Sequence, residues 1–106
     1  MKQAPDESLD RYPWNISSST SSVGDFYIKR KGNKAGEPTK NRESSSDFAV
    51  VVDDQQLNSK YFFYVIQHLY QQGMFKPVQT GAVISGIRKE DINRVILDFF
   101  SKHHSR

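Results

Sequence analysis

The sequence predicts a small α+β protein, with a short two-stranded sheet and a three-helix C-terminal core. Three observations lead there. Two short runs, Phe26-Tyr27-Ile28 and Phe48–Val52, are aromatic or β-branched and lie near glycines and serines, the pattern of strands rather than helices. The stretch from Leu57 to Gln72 carries apolar residues at three- and four-residue spacing, as an amphipathic helix does. From Ala82 onward helical spacing returns, with a glycine at position 86.

The two strands are expected to pair. Between them, residues 34–46 read as a loop, with Gly36, Pro38 and three serines. Before them comes the run Ser17-Ser18-Ser19-Thr20-Ser21-Ser22, which has too little apolar surface to offset the entropy of ordering. The chain is therefore expected to divide into a flexible segment, residues 1–46, Ser-rich and then basic, and a compact domain, residues 47–106. Trp14, alone in the first part, would mark a loosely packed end or dock on the domain or a partner. A folded core of under about 65 residues is marginal for a monomer, so a homodimer or a bound protein partner is expected.

In the first helix Asn58 is the N-cap. Leu57 before it and Phe62 four residues after it have the arrangement of a hydrophobic staple. Phe62, Val65, Ile66 and Leu69 form the buried stripe, and Tyr61, Phe63, Tyr64 and Tyr70 widen it into an aromatic face able to dock a protein partner. Gly73 ends the helix. Pro77 breaks any helix running through it. Ile92, Val95, Ile96 and Phe99 then recur at helical spacing. Glu90 and Asp91 suit the positive end of that helix, and Lys102, His103 and His104 the negative end.

The 106 residues include no cysteine, which excludes disulfides, thiol nucleophiles and cysteine-ligated metals. No apolar run reaches the roughly 18 residues of a membrane span and no signal-peptide core is present, so a cytoplasmic protein is expected, or a nuclear one in a eukaryote. His68 lies within the aromatic helix, and the pair Asp53-Asp54 reads as a turn. With no glycine-rich phosphate loop and no metal-ligand spacing, neither an enzyme nor a cofactor is expected. The net charge is +3, unevenly placed. Between Ile28 and Arg42 stand six cations (Lys29, Arg30, Lys31, Lys34, Lys40, Arg42) against one anion, Glu37. Such a segment either attracts a polyanion through counterion release or is a solvated linker.

The sharpest functional pattern is Ala82 to Ile96. A small residue is followed four later by Gly86, then by Ile87, Ile92 and Val95. Alanine lets two helices touch, glycine takes a turn at low steric cost, and the branched residues fill the space between. These residues resemble the helix-turn-helix DNA-binding proteins, including the lac-repressor type, over about twenty residues. The resemblance implies a first short helix from about Val78 to Ser85 and a recognition helix from Arg88 or Lys89 to Lys102, with the Leu57–Gln72 helix packed behind. It further implies duplex DNA binding by a dimeric regulator. Arg88, Lys89, Asn93 and Arg94 would face the groove, while Lys29, Arg30 and Lys31 form a basic arm on the backbone. The same residues also fit one amphipathic helix, or a strand and a helix. In addition, strand 48–52, helix 57–72, a strand near Pro77–Thr80 and helix 82–102 give a β-α-β-α order. With Gln72-Gly73 and Gly81-Ala82-Val83-Ile84-Ser85, that order resembles the Alba family and implies an RNA or DNA binder.

Overall fold

Residues 12–81 and 86–104 are described by the structure, a computed structural model, with the backbone alone for 103 and 104. Trp14–Ser17 (β1), Phe26–Ile28 (β2), Pro38–Thr39 (β3) and Phe48–Val52 (β4) form one antiparallel sheet in the spatial order β1-β4-β2-β3. The register pairs Ile16 and Phe26 with Val50 from either side, and Trp14 with Val52. Side chains alternate across a strand, so this register gathers Trp14, Ile16, Phe26, Ile28, Phe48, Val50 and Val52 on one face. All seven are buried.

Two helices cover that face. The first, α1 (Ser59–Gln71), buries Phe62, Phe63, Val65, Ile66 and Leu69. Its N-cap is Asn58, whose side chain accepts the Tyr61 amide at 2.8 Å, as the sequence predicts. Gly73 ends it with φ 76°. The Gly73 amide donates to Tyr70 O and the Met74 amide to Leu69 O, the paired bonds of a Schellman motif. The second helix, α2 (Lys89–His104), buries Ile92 and Ile96 completely. Trp14, Phe62 and Phe100 meet where sheet, α1 and α2 join, with ring centroids 4.9–6.2 Å apart.

Several expectations are corrected. Among the described residues the sheet has four strands rather than two, and the core has two helices rather than three. Lys76–Val78, around Pro77, is a single 3-10 turn, and Thr80 and Gly86 then exchange backbone hydrogen bonds of 2.8 and 2.7 Å. Gly86 therefore lies in a β-bridge, where its amide and carbonyl are used sideways, and not in a turn between helices. The proposed helix residues 82–85 lie outside the described residues, as do residues 1–11 and the side chains of His103 and His104. Since the four strands come first and the helices last, the β-α-β-α order is not the one observed.

The division at residue 47 is corrected as well. β1, β2 and β3 all precede it, and Trp14, Ile16, Phe26 and Ile28 belong to the core. Trp14 is an anchor, 6 % exposed, whose Nε1–H donates to Asn93 Oδ1 at 2.9 Å. No helix among the described residues is long and apolar enough to cross a membrane.

Candidate nucleic-acid interface

The residues expected to contact DNA come from two distant stretches, and the fold brings most of them to one end. β2 and β3 form a hairpin whose tip is shaped by Gly32 and Gly36, at φ 94° and 103°. The Gly36 amide donates to Lys29 O at 2.8 Å and the Lys29 amide to Glu37 O at 3.0 Å. Phe75 packs under the tip: a Cβ on Gly36 would stand 2.9 Å from its ring. The Gln79 side-chain amide donates to Ala35 O at 3.0 Å. The tip is thus fixed against the 3-10 turn.

A second contact joins the hairpin to α2. Lys31 bridges to Gly86, and the Ile87 amide donates to Arg30 O at 3.0 Å. Arg88 follows at once, and Lys89 opens α2. One end of the molecule therefore carries Arg30, Lys31, Lys34, Lys76, Arg88 and Lys89. Lys31, Lys34, Lys76 and Arg88 are exposed, and Arg30 and Lys89 partly so. Asp25, Asp53 and Asp54 lie at the other end of the sheet, where β2 begins and β4 finishes.

These cations are not equivalent. Lys29 stands 3.1 Å from Glu43 and 3.2 Å from Glu37. Its hydrogen bonds to Glu43 and then Glu37 hold its ammonium above the ordinary lysine value. The folded value being the higher, this pairing supports the fold fully below the ordinary lysine value and fades as pH rises through the folded one. Arg30 lies over the Phe48 ring, 5.3 Å from its centroid. Arg88 and Arg94 each approach the buried carboxylate of Asp91 at 3.0 Å. The Asp91 hydrogen bond raises the Arg88 value. Among the described residues, Lys31, Lys34, Lys76 and Lys89 have no ion-pair partner.

The expected groove-facing set is divided by these contacts. Arg88 and Lys89 join Arg30 and Lys31, while Lys29 is held in place by two glutamates. Asn93 faces inward to Trp14, and Arg94 lies further along α2, tied to Asp91. The aromatic docking face is divided as well. Tyr61 and Tyr64 are 50 % and 51 % exposed, whereas Phe63 is core and Tyr70 is partly buried against it. Lys34 and Lys76 are not among the residues that the sequence singles out for DNA contact. The glycines flanking Lys34 were a usable signal for a hairpin tip, but nothing in the sequence places Lys76 beside it.

Hairpin, bridge and helix start together form a cationic surface on a four-stranded sheet backed by two helices. Residues 14–106 match the model of DUF6943, a family of unknown function, and the chain belongs to that family. No curated protein and no solved structure matches the chain.

Proposed function

We propose that this protein is a non-enzymatic nucleic-acid-binding protein that grips phosphates through its cationic end. One observation carries the reading. The Lys31–Gly86 bridge and the Ile87–Arg30 hydrogen bond join the hairpin cations to the segment that leads into α2, and so concentrate charge that the sequence keeps more than fifty residues apart. Clustered ammonium and guanidinium groups displace condensed counterions from a phosphate backbone, which favours binding at low salt. Phosphate contacts of this kind position a protein without reading sequence. Asn93 and Arg94, the groups suited to base edges, are engaged within the protein, so this binding is insensitive to base sequence. The cytoplasm, or the nucleus in a eukaryote, is where such a ligand would be met.

The test is a salt series with a labelled mixed-sequence oligonucleotide. Affinity should fall steeply and log-linearly with salt. Lys31→Ala, Lys34→Ala and Lys89→Ala should each lower the slope by about one. Absence of binding at low salt, or slopes that these substitutions leave unaltered, would exclude the assignment.

A further inference from the structure

A second surface lies outside the cationic end. Where α1 starts, a shallow cleft of about 180 Å³ opens against the β2–β3 edge, lined by Asp25, Phe26, Lys40, Lys60, Phe63 and Tyr64. We infer that this cleft holds an unpaired nucleobase of a single strand, stacked on Tyr64 with its phosphates on Lys40 and Lys60. The inference rests on the nucleic-acid reading above and narrows it to single-stranded ligands.

A half-exposed ring on a helix is ordinary, but that of Tyr64 has a fixed neighbour. Phe63 meets it edge-to-face at 5.6 Å and 89°. Phe63 is itself held edge-on by Phe26 at 5.2 Å and 83°. The exposed ring is therefore supported from behind and can accept a flat partner at a small entropic cost. Tyr61 lies three residues earlier, on the same face of α1, and is exposed to the same degree. Two such rings can stack two successive bases.

The charges favour a nucleotide over an uncharged aromatic ligand. Lys40 lies over the Phe63 ring at 5.6 Å, and Lys60 stands four residues before Tyr64, on its face of the helix. Against these two ammonium groups stands one carboxylate, Asp25, whose Oδ2 already accepts the Val52 amide at 2.7 Å. Lys40 also belongs to the hairpin that bears Lys31 and Lys34. Six residues span at most roughly 20 Å, so one strand could leave the cleft along this arm and reach the cationic end. Duplex bases are already stacked on one another and cannot use these rings, whereas single strands present a π-face at every base.

The probes are a fluorescein-labelled oligo-dT 12-mer, an abasic 12-mer of equal charge and a duplex of equal length, each bound to the full chain. The oligo-dT should bind about tenfold more tightly than the abasic strand. Tyr64→Ala should remove that advantage while leaving abasic and duplex binding unchanged, and Tyr64→Phe should restore it. An unchanged melting temperature for Tyr64→Ala confirms that it folds. Equal affinity for the oligo-dT and abasic strands, or a Tyr64→Ala protein that still prefers oligo-dT, would overturn the inference. If Lys31→Ala and Lys89→Ala nevertheless weaken all three probes, the phosphate-binding reading stands without it. If no probe binds, both fall.

Discussion

Asp91 shows how one buried carboxylate can set both stability and surface charge. It is 3 % exposed, lies in the first turn of α2 and accepts from Arg88 and Arg94. Both arginines are otherwise exposed, so their attraction to it is partly screened, but the carboxylate is not free to find water. Asp91→Asn keeps the shape and removes the charge. It should destabilise the fold by about 1–2 kcal/mol in urea denaturation. It should also tighten oligonucleotide binding at low salt, because Arg88 at the cationic end is released. An unaltered affinity would mean that Arg88 does not reach the phosphates. By helical spacing Arg88, Asn93 and Arg94 group as outward residues, because a helical wheel shows only which side of a helix is apolar. It does not show that a tryptophan some eighty positions earlier will claim Asn93, or that Asp91 will turn inward.

Among the elements, the β2–β3 hairpin holds the proposed site, and its two glycines have different reasons to be there. Both Gly32 and Gly36 have positive φ, where a residue with a Cβ is strained by about 1–2 kcal/mol. A Cβ on Gly32 meets nothing within 4 Å, whereas one on Gly36 would press into Phe75 at 2.9–3.1 Å. Gly32→Ala should therefore show the backbone strain alone. Gly36→Ala should lose about 1–3 kcal/mol more through overpacking and displace Lys31 and Lys34 from α2. Thermal melts of the two variants check the ranking; equal losses would show that Phe75 gives way. α1 is the opposite case, legible from sequence to its caps. Its N-cap and terminating glycine are local features, and all its buried residues repeat with one period.

At the scale of the whole molecule, the sheet has to be assembled from both halves of the chain. β4 lies between β1 and β2, so removing residues before 47 strips both its neighbours and exposes Phe48, Val50 and Val52. A fragment of residues 47–106 should show no cooperative thermal transition by circular dichroism, while one of residues 12–106 should melt cooperatively. A sharp transition in the shorter fragment would restore the division that hydropathy suggests. That division misled because β1 has only two apolar residues, Trp14 and Ile16, ahead of a serine run, and β3 is two residues long with a proline. Neither has enough local pattern to register as a strand. Pairing with β4 and β2 supplies what their own sequences lack.

The sequence by itself determined the central strand pair, α1 with its caps, the apolar stripe of α2 and the basic stretch ahead of β4. Each is written in residues close together in the chain, where periodicity and capping chemistry act. Only the tertiary structure decided that Gly86 pairs with Thr80 and Lys31 rather than turning between helices, that Trp14 is core, and which cations stand together. Those outcomes depend on backbone hydrogen bonds and packing between segments far apart in sequence, and such contacts leave no mark on the local pattern of either partner.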